Sequence, residues 1–159
     1  MQLQRQYNVL LIGDSCTDEW AYGSCDRLSP EAPIPVMKFR EHQSAPGMAA
    51  NVNENLKSVG INVNFLTNRE KIVKTRYVDD RSNQQIMRLD TEPVVKPLHP
   101  SQLTMAAMHS EYDAVVISDY DKGFVGYDII ELLAKQNPNI KIFIDTKKKM
   151  GDWILDADF

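Results

Sequence analysis

Three short apolar runs, each closed by an aspartate, constrain the fold of this chain more than any other feature. Val9-Leu10-Leu11-Ile12 ends in Gly13-Asp14, Ala114-Val115-Val116-Ile117 ends in Ser118-Asp119, and Ile142-Phe143-Ile144 ends in Asp145. Continuous apolar runs of this length read as strands buried on both faces of a parallel sheet, not as the alternating strands of a half-exposed one. Between the last two, residues 127–136 carry Ile129, Ile130, Leu132 and Leu133 at helical spacing, and Asn137-Pro138-Asn139 stops the helix. Strand, helix, strand at this spacing predicts a parallel crossover. All three aspartates then fall at the carboxyl edge of one sheet, where open α/β folds bind ligands. Asp14 and Asp18 are candidates to hold a hydroxyl-bearing substrate there, or each simply caps a turn.

The stretch Ala45-Pro46-Gly47-Met48-Ala49-Ala50-Asn51-Val52 reads as a loop turning on Pro46-Gly47 and running into a helix over 49–59, with Val52, Leu56 and Val59 as its apolar stripe and Gly60 beyond its end. The open N–H groups of a first turn favour an oxygen-rich or anionic ligand, and Asn51 can offer an amide to hydroxyls. The same pattern also serves an ordinary start to a helix, since a single Gly matches no Walker A or dinucleotide fingerprint.

Residues 27–40 hold three prolines in six positions, which predicts an extended edge segment. Residues 62–66 form the next strand and complete a βαβ unit. Residues 71–78 and 84–90 read as a long hairpin, with Lys74 and Arg76 on one face and Arg88 across from them, a face that either binds phosphate or is solvated. Residues 93–100 read as a linker, Ser101 as the cap of a helix to about Ser110, and Lys147-Lys148-Lys149 as a solvated run.

Composition closes off other classes. The 159 residues suit one domain, and a net charge of -4 gives no footprint for nucleic acid. The apolar runs are too short to span a bilayer, so a cytosolic protein without membrane attachment is expected. Cys16 and Cys25 lack metal or disulfide spacing, and with three scattered histidines no metal site is expected.

Taken in order, Gly13-Asp14 with Asp18, residues 27–36, Pro46-Gly47 with Ala49-Ala50-Asn51-Val52, residues 83–90, Ser118-Asp119-Tyr120 with Lys122-Gly123, and Asp145 with Lys147 resemble the N-terminal half of a ribokinase-like (PfkB-type) carbohydrate kinase. The heptose-7-phosphate kinases of ADP-heptose synthesis are the nearest in pattern. The resemblance implies a three-layer α/β domain spanning 1–159, truncated, with a small β lid over about 19–40 and 71–90. It further implies ATP and Mg²⁺, a sugar-phosphate substrate, and a homodimer or a partner chain supplying the C-terminal half. It places Asp18 as the sugar-binding aspartate and Gly47 with Asn51 in the sugar loop. Lys74, Arg76, Gln84 and Arg88 then fall near the substrate phosphate, and Asp119 and Lys122 line the site. Met48 stands where the family has a second glycine, a helix and strand are absent between Leu66 and Lys71, and the Gly-Ala-Gly-Asp stretch that carries the family's general base does not occur. A non-catalytic sugar-phosphate-binding protein on the same scaffold is the alternative expectation.

Overall fold

The computed structural model describes residues 6–108, 111–136 and 140–149. It divides into two compact units, one of Met1–Ser15, Met48–Glu70 and Val94–Phe159, the other of Cys16–Gly47 and Lys71–Pro93.

The first unit is built on a parallel sheet in the order β4-β1-β7-β8, with β1 at Asn8–Gly13, β4 at Asn62–Thr67, β7 at Ala114–Asp119 and β8 at Lys141–Thr146. β1 is central, and Leu10, Leu11 and Ile12 are at most 1% exposed, as the unbroken apolar run requires. The last run is an edge strand instead of a core strand: Ile142 and Ile144 are half-buried while Phe143 is 57% exposed. Helix α3, Tyr127–Gln136, buries Ile129, Ile130 and Leu133. Its stop at residues 137–139 lies outside the described residues.

Helix α1, Ala49–Ser58, lies against β4, β1 and β7. Its buried face is Ala49 and Asn53, with Val52 and Leu56 half-buried, and Gly60 has the left-handed φ of 83° expected past a helix end. Val59 is 72% exposed and leaves the apolar stripe, because it falls beyond the last helical residue. Helix α2, Pro100–Met108, starts one residue before the expected cap. Pro100 occupies the first helical position, and His99 caps, its carbonyl accepting from Gln102 N–H at 2.9 Å and its Nδ1 from Ser101 N–H at 3.2 Å. The expected end near Ser110 lies outside the described residues. Residues 93–100 are more than a linker, since Val95 and Leu98 are buried and Leu98 N–H donates to the Phe124 carbonyl.

The second unit carries a sheet in the order β3-β2-β5-β6, with β2 at Ser15–Leu28, β3 at Pro35–Met48, β5 at Val73–Asp79 and β6 at Gln84–Thr91. β2 and β5 are parallel, and β5 and β6 form the antiparallel hairpin, with a bulge at Tyr77/Val78. Asp79 closes its turn, accepting from Ser82 N–H and Oγ and, across to β2, from Cys25 N–H. These bonds outweigh burial and hold its carboxyl below the ordinary range. β2 is longer than the sequence suggests: only Asp14 separates it from β1, so Asp18 is a strand residue and not part of a loop. Likewise Pro46 and Gly47 do not turn. They extend β3, which is possible because β3 is an edge strand where a missing proline N–H costs no ladder bond. The turn falls on Met48, whose φ of 57° and ψ of -132° suit a glycine.

Where the resembled family carries an additional helix and strand, five residues, 68–72, join β4 to β5. Asn68 makes this crossing: its Oδ1 accepts from Ser15 N–H at 2.7 Å, and its Nδ2 donates to the carbonyls of Ser15 and Glu70.

Candidate functional site

At the carboxyl edge of the first unit's sheet, Asp14 is fully buried. Its Oδ2 accepts from the N–H groups of Tyr120 (2.9 Å) and Lys122 (3.2 Å), and its Oδ1 from Phe124 N–H (3.1 Å). A carboxylate that accepts from three amides of one loop braces that loop, the turn-capping role that the sequence left open beside substrate binding. Burial pushes its carboxyl up, and the three amide bonds only partly offset this. The Asp14 carbonyl also accepts Ala49 N–H at 2.9 Å, so the same residue ties down the start of α1.

Asp119, 1% exposed, is held from the other side of the loop. Lys148 Nζ donates to both its oxygens (2.9 and 2.7 Å), Thr146 Oγ1 donates at 2.6 Å and Asp121 N–H at 2.9 Å. Burial alone would raise this carboxyl, but these bonds outweigh it and hold it low. Lys148 is correspondingly held above its ordinary value, burial opposing and Asp119 and Asp121 prevailing. The solvated reading of the lysine run fails at Lys148, whose side chain is 9% exposed, while Lys147 lies over the Tyr120 ring at 4.6 Å.

The first turn of α1 completes this edge. It holds no acidic residue and no side-chain cap, and helix geometry gives the N–H groups of Ala50 and Asn51 no intrahelical acceptor. Asn51 is exposed, and the adjoining Met48 is 7% exposed. Asp119 and Lys122 thus share one loop beside Asp14.

In the second unit, parallel register sets Asp18 opposite Lys74 and Trp20 opposite Arg76, so these four share a face. Arg76 Nη1 bonds Asp18 Oδ1 at 2.7 Å and its guanidinium stacks 5.3 Å over the Trp20 ring. Arg88 is opposite Arg76, as expected, but is paired with Asp90 at 2.8 Å, and Lys74 lies 3.9 Å from Glu92. Each cation therefore has an acid beside it. Gln84 pairs with Asp79, and the bulge places it on the opposite face from Lys74 and Arg76. Gly47 lies so close to Asp18 Oδ2 and Cys16 Sγ that a Cβ there would overlap both. Burial, with Asp18 next, pushes the Cys16 thiol up to about 11, so it is no thiolate nucleophile at neutral pH.

The fold is that of the ribokinase-like carbohydrate kinases. The tetrameric inhibited form of phosphofructokinase-2 from Escherichia coli matches with a TM-score of 0.57 at 14% identity, over 96% of this chain and 58% of that one. In sequence, the chain is similar to the Bifunctional protein HldE. It is 29% identical over 170 residues to that of Nitratiruptor sp. (87% of this chain, 36% of the relative). To that of Helicobacter acinonychis it is 33% identical over 174 residues (89% and 38%). The chain thus spans somewhat over a third of the length of these curated relatives. No protein-family model matches it. Among the described residues, no helix is long and apolar enough to cross a membrane.

Proposed function

We propose that the chain is the phosphosugar-recognising part of an ATP-dependent carbohydrate kinase of the PfkB type, directed at a hydroxyl of a heptose or hexose phosphate. The observation that carries this reading is the carboxyl edge of the first unit. There Asp14 and Lys148 fix the Asp119–Lys122 loop, and α1 offers open amides with Asn51 exposed among them. Similarity to Bifunctional protein HldE supports the class, and the motif resemblance supports a heptose phosphate. Asp18 and Gly47 would take sugar hydroxyls, while Lys74, Arg76 and Arg88 would take the phosphate by exchanging their present carboxylate partners for it. Bound Mg-ATP would supply the phosphoryl group. The two buried carboxylates of the edge do not fit Mg²⁺ as they stand, since Asp14 is taken up by three amides and Asp119 by Lys148, Thr146 and Asp121.

Because Gly-Ala-Gly-Asp does not occur in the 159 residues, the expected result for this chain is binding without turnover. Calorimetry with a heptose 7-phosphate, beside a coupled ADP-release assay with Mg-ATP, reads both. Sugar-dependent ADP release from the pure chain would contradict the expectation. The non-catalytic reading draws on Met48, which fills with a side chain a backbone position shaped for glycine.

A partner is proposed as well. The second unit exposes Leu28 (63%), Phe39 (64%) and Met87 (52%), an apolar display that suits association of two copies. Light scattering at micromolar concentration should give twice the 18.1 kDa chain mass, and a cooperatively unfolding monomer would remove the proposal.

A further inference from the structure

A different pocket opens at the other end of the first unit's sheet, where β1 and β4 begin. Its volume is about 430 Å³, and it is lined by Asn8, Asn62, Val63, Asn64, Glu111 and Tyr112. That volume lies within the usual span of small-molecule sites. Asn8 and Asn62 are register partners, and Asn62 Nδ2 donates to Asn8 Oδ1 at 2.8 Å. Asn64, two residues on and therefore on the same face, donates from Nδ2 to Tyr112 Oη at 2.6 Å, and that hydroxyl donates to the Ala106 carbonyl at 3.0 Å.

Asparagine is disfavoured in strands, yet three occupy one face of two paired strands here. Departures from local preference of this kind concentrate at sites of function. The bonds fix the amide planes in advance, leaving Oδ1 of Asn62 and Asn64 as acceptors and Asn8 Nδ2 as a donor. Glu111 adds two acceptors, and among the described residues no lysine or arginine lines the pocket. An anionic ligand would find one carboxylate and no balancing cation among the described lining residues, whereas a ligand with many hydroxyls can both donate and accept.

We propose that this pocket binds an uncharged, hydroxyl-rich ligand of sugar size. It lies roughly 17 Å along β1 from the Asp14 edge, at about 3.3 Å per residue, and does not depend on the function proposed for that edge. The full chain, labelled with ¹⁵N, would be titrated with D-mannose, representing a free sugar, and with maltotriose, representing a glycan. Inorganic phosphate serves as the anionic comparison. Saturable shifts of the Asn8, Asn62 and Asn64 side-chain amides with either sugar are expected. Asn64→Val, which suits a strand, and Glu111→Ala, which lies outside the strands, should each weaken the sugar response roughly tenfold while the fold is kept. If the amides merely fasten the sheet edge, neither sugar saturates, or both variants titrate like the parent, and the proposal fails. Phosphate binding as well as the sugars would overturn the uncharged assignment.

Discussion

Lys148→Met should lower stability by about 3–5 kcal/mol, because it strands a carboxylate in the interior. The Asp119 side chain is 0% exposed and that of Lys148 is 9% exposed, so solvent cannot replace the lost ammonium. The pH dependence carries the diagnostic. Asp119 titrates below its ordinary 3.8 in the folded chain, so its stabilising contribution is present above pH 3.8 and is lost as pH falls through the lower folded value. Without Lys148 the carboxyl loses the largest of the partners that offset its burial, so its folded value should rise. The gap between parent and variant should therefore be full at neutral pH and shrink as pH falls below the variant's folded value, where protonated Asp119 no longer needs its partner. Denaturant unfolding from pH 3 to pH 8 measures this. A constant gap would mean that Lys148 contributes packing alone.

Gly13→Ala is expected to cost about 3 kcal/mol, the upper part of the overpacking range. A Cβ at Gly13 would overlap the Ser118 carbonyl oxygen and approach the Ala49 Cβ to 2.8 Å. The first of these is backbone in the neighbouring strand, which cannot rotate away as a side-chain tip can. β1 and β7 would have to separate next to Asp14, so the Asp119–Phe124 loop should loosen with the sheet. For a chain of this length the midpoint of thermal unfolding should fall by roughly 6–12 °C. An unchanged midpoint would show that β1 and β7 do not meet in the register Gly13↔Ser118.

These two residues differ in how visible they are in the sequence. Gly13 closes an apolar run, and the run alone implies a buried parallel strand and a crowded exit from it. The ends of β1, β7 and β8, the helix at Tyr127–Gln136 and the hairpin of β5 and β6 were legible for the same reason: local periodicity reports which faces are buried. Lys148 was not, because its burial arises from Asp119, 29 positions earlier, and a run of three lysines looks solvated in isolation. The length of β2 was hidden by Asp18, which reads as part of the segment closing β1 until Lys74 is seen beside it in β5. Asn68 carried no local signal at all, since its work is to join two chain segments 53 positions apart. Among the expected ligand residues, alternation grouped Lys74, Arg76 and Arg88 on one hairpin, as the register has them. For Asp18, placed by spacing at the end of β1, it gave no sign of the neighbouring Lys74 and Arg76, nor could it show that each cation there already has an acidic neighbour or that the bulge turns Gln84 away.

The central proposal is that the chain binds a phosphosugar, with Asp18 of the second unit and Asn51 of the first each tested separately. Isothermal titration of a heptose 7-phosphate into the full chain tests it most directly, with Asp18→Ala, Asn51→Ala and Met48→Gly beside the parent. The account predicts saturable one-site binding, weakened roughly fivefold to tenfold or more by either alanine, from hydrogen bonds worth about 1–1.5 kcal/mol each, and strengthened by the glycine. Absence of binding, or identical titration curves for the parent and all three variants, would contradict it.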